Sequence, residues 1–384
     1  MAKKTKEEDV PLLLHGNSYE NQDLFYITGF LTTSTFTCLK KDGSMSILIN
    51  SMERKRAEEE SCATKVITPG ELVDKESMNQ MDAIKNFVEE NTDSDKIRMP
   101  GYTPINVYKK LKEKYKVEIV GNVLDERAIK AKDEISKIKK SQKAAESALR
   151  KAREALKKSV VEGGGLVLEE KALTQGKLKR IIRTELIEMN CDCRGLIVSS
   201  GKESAYPHKT GRNGKQIREG APIVVDVFPK NRKSRYNGDM TRTFVKGEPN
   251  KELVDMHRAV VEAQRKVLKV LKAGTKVSEV EKTVSDVFGS RGYHYYCTDS
   301  QENKDGGKNR ASIRHAPGHG IGLEVHEPPC INSKNDVELK EGNVVALEPG
   351  LYKDSLGGVR VEDVVVIRKN GVEVLGSMSK KLIA

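Results

Sequence analysis

In the first third of the chain, short apolar runs alternate with polar turns. FYITGFL (25–31), STFTCLK (34–40) and SMSILIN (44–50) read as strands, broken by turn residues such as Asp42-Gly43. Helical spacing follows near 51–60, 80–90 and 105–115, with Pro100-Gly101 as a turn. This predicts a small mixed α/β domain without a catalytic constellation. From Asp125 to Ser159 the period changes. Ile135, Ile138, Ala145, Leu149, Ala152 and Leu156 recur every three or four residues, the stripe of an amphipathic helix whose other faces are crowded with Lys and Arg. Gly163-Gly164-Gly165 closes that unit. A helix at 175–189 and the strands GLIVSS (195–200), PIVVDVF (222–228) and DMTRTFVKG (239–247) come next, with the turn-rich PKNRKSRYNG between the last two. Helices at 250–272 and 277–290 lead to two further strands, NVVALEPGLY (343–352) and GVRVEDVVVI (358–367). A loose internal symmetry results: strands with two Asp, then helices, then strands with two Glu.

Length and composition narrow the picture. At 384 residues the chain is long enough for two domains, expected at 1–124 and 125–384 with 125–160 as the leading helix of the second. No run approaches the length of apolar sequence that spans a bilayer, so no membrane partner is expected. The start, MAKKTKEEDV, lacks the apolar core of a signal peptide, and a cytoplasmic location is expected. The cysteines at 38, 62, 191, 193, 297 and 330 read as reduced thiols, because Cys191-x-Cys193 has no second pair to complete a zinc site. A net charge of +12 permits nucleic-acid binding without requiring it, and a solvated basic helix face is the expected reading.

The chemistry concentrates in HAPGHGIGLEVHEPP (315–329), where His315, His319 and His326 recur among glycines. Asp226 lies within the apolar VVDVF, Asp239 opens its partner strand, Glu348 ends VVALE, and Glu362 sits mid-strand in VRVED between valines. A carboxylate in an apolar strand is costly unless a cation meets it. One such acid could face an arginine. For all four beside a histidine cluster, a divalent metal is the simplest shared partner. Four carboxylates and an imidazole suit manganese, cobalt(II) or iron(II), admit zinc, and are numerous enough for two ions about 3.5 Å apart.

VVDVF…GDMTRTF, HAPGHGIGLEVHEPP, ALEPGLY and VRVEDVVVI together resemble the pita-bread metallopeptidases, the M24 family of aminopeptidase P, prolidase and methionine aminopeptidase. The similarity runs from about 160 to 384. The α/β region before it resembles the N-terminal domain of the prolidase and aminopeptidase P branch, so the implied fold is an α/β (α+β) chain with a creatinase-like domain followed by a pita-bread catalytic domain. The resemblance implies a dinuclear exopeptidase that cleaves the bond before proline in Xaa-Pro peptides or dipeptides. Asp226, Asp239, His319, Glu348 and Glu362 would hold two divalent ions, manganese or cobalt foremost, with Asp239 and Glu362 bridging them. Glu348 would also be the general base, His326 would face the substrate carbonyl, and His208 in YPHKTG would approach the leaving amine. His315 would line the pocket, and Arg360 would hydrogen-bond a ligand. A homodimer acting on peptides is implied.

Two departures from the family pattern matter. Asp226 and Asp239 are thirteen residues apart, two more than the family usually has. KNRKSRY reads as a longer hairpin tip, and an even change preserves which face each side chain takes. The loop after His326 carries Cys330 where many prolidases have an arginine for the substrate carboxylate. Lys334, Arg310 or Arg314 would have to serve instead, which favours longer peptides. The rival readings are a nucleic-acid- or protein-binding module on an altered site, a metal-free creatinase-like hydrolase, and a methionine aminopeptidase. The five intact ligands oppose the first two, and the N-terminal domain opposes the third.

Overall fold

The computed structural model describes residues 10–73, 79–121, 125–295, 311–332, 334 and 336–384. Cys297 and Arg310 lie outside the described residues. The chain divides into two units, Met1–Asp125 and Glu126–Ala384. Among the described residues, no helix is long and apolar enough to cross a membrane.

The first unit is built on a six-stranded mixed sheet. Its order is Lys65–Ile67, Ser44–Leu48, Phe36–Lys41, Leu12–Gly16, Lys96–Pro100, Lys116–Val120. Successive side chains of a strand point to opposite faces, and both faces here are covered. Leu13, Leu39 and Ile97 pack with Ile84 and Phe87 of the helix Gln80–Asn91, while Leu14, Phe36 and Ile47 pack with Leu24 and Ala57. FYITGFL departs from the strand expected there: Gln22–Thr28 is a helix. The Asn21 side chain accepts from the amides of Asp23 and Leu24, and Gly29 closes the helix at φ 67°. A cap at each end outweighs the strand preference of the aromatic and β-branched residues between them.

In the second unit two helix pairs each cover a sheet. Lys132–Lys158 and Gln175–Glu188 share a core with the strands Ile197–Ser200, Ile223–Val227 and Met240–Phe244, through Ala148, Leu149, Ile182, Val225 and Phe244. Lys251–Val270 and Val277–Ser290 pack Val260, Val267, Val284 and Phe288 against Val345 and Val365 of a five-stranded sheet. That sheet runs Glu327–Ile331, Gly318–Gly320, Val344–Leu347, Asp363–Arg368, Gly371–Val374.

The two final strands expected from sequence each divide. Val344–Leu347 and Asp363–Arg368 belong to the five-stranded sheet, whereas Gly350–Lys353 and Gly357–Arg360 pair in another, and Glu362 stands in the gap rather than mid-strand. The register is continuous across the break. Leu347 faces Asp363, Gly350 faces Arg360, and on that count Glu348 stands opposite Glu362. The chain therefore makes one long hairpin, bent where both glutamates lie. Directly opposed residues of an antiparallel pair share a face, so the bend brings the two carboxylates together.

KNRKSRY also does more than extend a hairpin tip. Lys230–Asn231 pairs with Cys191–Asp192, Arg232 pairs with Asp192 at 2.7 Å, and the Asn231 side chain accepts from the amides of Lys233 and Ser234. The insert has its own strand partner, which periodicity alone could not show.

Candidate metal centre

Asp226 faces Thr241 across its hairpin, and Asp239 precedes Thr241 by two residues on the same face. Thr241 joins this hairpin to the bent one. Its carbonyl accepts from the Glu362 amide at 3.0 Å, and its hydroxyl donates to Glu362 Oε2 at 2.7 Å. His319 sits in the strand between Glu327–Ile331 and Val344–Leu347, opposite Ala346. A Cβ on Gly320 would stand 2.4 Å from two backbone carbonyl oxygens, those of Glu327 and Pro328, so only glycine lets the histidine strand lie this close to its neighbour.

The result is a cavity of about 280 Å³ whose lining includes all of Asp226, Asp239, His319, Glu348, Glu362, His208, His315, His326 and Arg360. His319 Nδ1 donates to the carbonyl of Gly320 at 3.1 Å, which turns Nε2 toward the acids. Nε2 lies 3.6 Å from Glu348 Oε1 and 3.8 Å from both Asp239 Oδ2 and Glu362 Oε1. Asp239, His319 and Glu362 offer ligand atoms within 4.8 Å of one another. Oδ1 of Asp226 and Oδ1 of Asp239 are buried with no hydrogen-bond donor. A buried carboxylate oxygen without a donor is expensive, and two of them beside an oriented imidazole match what a divalent cation needs. The donor set is hard to borderline and contains no thiolate.

Charge interactions divide the acids. Burial, and then the carboxylates around them, hold Asp239 and Glu362 well above the ordinary carboxylate range. Burial pushes Glu348 the same way, but His315, His319, Arg360 and His326 outweigh it and keep that carboxyl below its usual range. Arg360 donates to Asp226 Oδ2 at 2.6 Å and to the Tyr352 hydroxyl at 3.0 Å, and that hydroxyl lies 2.7 Å from His315 Nε2. His326 packs edge-on against His319 with ring centroids 4.3 Å apart. Burial and that neighbour lower its pKa.

Without a cation, Asp239 and Glu362 retain protons that an unfolded chain releases at about pH 4. The stability this gives is complete below that value and is lost as pH rises through their raised pKa values. The expected outcome is that the Tm gain from added manganese grows between pH 5 and 8, as measured by thermal unfolding with chelator and with metal. A gain independent of pH would contradict it.

The sequence profile of Metallopeptidase family M24 matches residues 136–369, more than half of the chain. The chain belongs to the M24 metallopeptidase family. The profile of the Creatinase/Prolidase N-terminal domain matches residues 6–129. This metallopeptidase is 30% identical over 375 residues to a Xaa-Pro dipeptidase of Pyrococcus horikoshii, covering 95% of this chain and 93% of that one. Among solved structures, it is similar to the prolidase of the same organism, with TM-score 0.78, 26% identity, and coverage of 98% and 96%. An X-Pro aminopeptidase of Thermotoga maritima shares the fold, with TM-score 0.80, 24% identity and 98% of both chains covered.

Of the cations considered for a substrate carboxylate, Arg314 and Lys334 are not part of the lining of this cavity. Arg314 donates to the carbonyl of Ala205 at 3.0 Å and pairs with Asp354 at 2.8 Å, and Lys334 and Cys330 are exposed. His15 is buried and meets the Thr37 hydroxyl at 2.9 Å, while His257 and His294 are half-buried and outside the lining.

Sequence reasoning missed the support beneath His326. Its neighbour Glu327 receives Lys130 Nζ at 2.6 Å and Arg127 at 2.8 Å, with the Lys130 and Glu327 side chains 1% and 2% exposed. Lys130→Met should destabilise the metallopeptidase by about 3 kcal/mol, the low end for a broken buried pair because Arg127 remains. Urea unfolding measures this. A loss within the roughly 0–1 kcal/mol of an exposed pair would mean that Arg127 suffices.

Proposed function

We propose that this metallopeptidase is an Xaa-Pro exopeptidase, cleaving the bond before proline in dipeptides and in longer peptides. The observation that carries this reading is the pair of donorless buried aspartate oxygens beside the oriented His319 in one small cavity. At about 280 Å³ the cavity is below the roughly 300–1,000 Å³ of pockets that engulf a drug-sized ligand. It suits the end of a peptide rather than its middle.

In this reading Asp226, Asp239, His319, Glu348 and Glu362 would hold two divalent ions, manganese or cobalt. When bound, the ions supply Lewis acidity toward the peptide carbonyl and ready ionisation of water near neutral pH. Glu348, kept ionised by its histidine and arginine neighbours, takes the proton of the attacking water and delivers it to the proline nitrogen as the C–N bond breaks. His326 donates to the carbonyl oxygen as negative charge builds there. His208 faces the leaving amine, and Arg360 fixes Asp226 while His315 borders Glu348 at 3.8 Å. The reading takes 1–124 as the creatinase-like domain and 125–384 as the catalytic one, in a cytoplasmic homodimer.

The test is hydrolysis of Ala-Pro, Ala-Pro-Ala and Ala-Ala-Ala with added manganese. Cleavage of both proline peptides, with Ala-Ala-Ala spared, is expected. Cleavage of Ala-Pro alone would assign a strict dipeptidase, and cleavage of Ala-Pro-Ala alone a strict aminopeptidase. Failure of both proline peptides would overturn the proposal.

A further inference from the structure

Two buried glutamines stand on the apolar faces of the two long helices, and neither is exposed at all. Gln142 lies on Lys132–Lys158. Its Nε2 donates to the carbonyl of Asp239 at 2.8 Å, and its Oε1 accepts from the amide of the same residue at 2.8 Å. Gln264 lies on Lys251–Val270. Its Nε2 donates to the carbonyls of Leu347 and Val361 at 3.1 and 3.2 Å. Those residues immediately precede Glu348 and Glu362.

The positions correspond across the internal symmetry. Gln142 precedes Gln264 by the same number of residues as Asp226 precedes Glu348. Each helix thus reaches from outside the sheets to backbone at a proposed ligand residue, Asp239, or next to two others, Glu348 and Glu362. We infer that Gln142 and Gln264 are a matched pair of positioning residues that set the spacing of the carboxylates. Gln142 seats Asp239, and Gln264 ties the two arms of the glutamate hairpin together at its bend.

The physical need is specific in each half. Where the hairpin bends between two sheets, the ladder is interrupted, and a buried carbonyl left without a donor is costly. One amide nitrogen has two hydrogens and serves both carbonyls, so the separation of the arms is fixed by a single side chain. The orientation of that amide is itself fixed, because Gln264 Oε1 accepts from Lys380 Nζ. In the other half the approach is close enough to require glycine. A Cβ on Gly238, beside Asp239, would lie 2.6 Å from the backbone carbon of Ser141. Packing alone would fill such positions with apolar side chains, as Ile138 and Ala145 do beside Gln142 and Val260 and Val267 beside Gln264. A rigid polar tie to backbone is what a ligand cluster needs if its geometry is to be set before the ions arrive.

This inference rests on the reading of Asp239, Glu348 and Glu362 as ligands, and the experiment separates the two. Manganese is titrated calorimetrically into metal-stripped wild type, Gln264→Met, Gln142→Met and Val260→Ala, and the manganese-loaded proteins are examined by electron paramagnetic resonance. Methionine keeps volume and removes the ties. Val260→Ala lowers stability from the same helix without touching the hairpin. Wild type is expected to bind with a spin-coupled spectrum. Each Gln variant should bind about 10–100-fold more weakly with that coupling diminished, and Val260→Ala should match wild type in both. Wild type that binds no manganese would remove the ligand reading itself. Wild-type affinity and coupling in folded Gln264→Met and Gln142→Met would leave the ligands in place and overturn the positioning role. If a methionine variant does not fold, Gln264→Glu and Gln142→Glu keep the shape and replace the donating amide by a carboxylate. The same loss of affinity is expected of them, and unchanged affinity overturns the inference.

Discussion

Glu348→Gln is expected to lower kcat on Ala-Pro by roughly 10³–10⁴-fold, the upper range for removing a proton-transfer group. The amide keeps the shape of the carboxylate at the cavity but cannot take a proton. The wild-type acid is held ionised against its own burial by the imidazoles of His315 and His319, 3.8 and 3.6 Å away, and by Arg360 at 3.9 Å. kcat and KM should be measured at saturating manganese, with metal content confirmed for each sample. A fall confined to KM, with kcat unchanged, would show that Glu348 binds substrate without carrying the proton.

Asp239→Asn should have opposite effects on metal binding and on stability. Asp239 is 3% exposed, its Oδ1 has no donor, and its neighbours Glu362, Asp226 and Glu348 are also acids. Burial and those acids make ionisation of Asp239 costly, a cost that a neutral amide escapes. The substitution should leave the Tm of metal-free protein unchanged or higher. Manganese affinity should fall by at least about 100-fold, the upper limit for loss of an outer partner, because here a ligand itself is lost. Calorimetric unfolding and manganese titration of the same sample check both halves. A lower metal-free Tm, or retained affinity, would contradict the assignment of Asp239 to a cation.

How much of this was legible in the sequence depended on whether a signal was local. The helices over 132–158, 251–270 and 277–290 followed from periodicity because their apolar stripes face a single core. The strand Leu12–Gly16 carries no alternation, since Leu12, Leu13 and Leu14 are buried on both faces of the sheet, and it passed unread. FYITGFL was misread because its strand-like residues are overridden by Asn21 and Gly29 at its ends. The site residues lie in one cavity, yet the bend that joins Glu348 to Glu362 was invisible. A run of valines looks the same whether a strand stays in its sheet or leaves it. The glutamines had a signal that went unused. Gln142 falls in register with Ile138, Ala145 and Leu149, and Gln264 with Val260 and Val267. A polar side chain inside an apolar stripe asks for a buried partner.

The central claim is a two-ion centre that acts on Xaa-Pro bonds. The most direct measurement is manganese titration into metal-stripped protein while Ala-Pro hydrolysis is followed. The account predicts no cleavage without metal, and activity that rises to a plateau at two equivalents per chain. Equal hydrolysis by stripped and loaded protein, or a plateau at one equivalent, would contradict it.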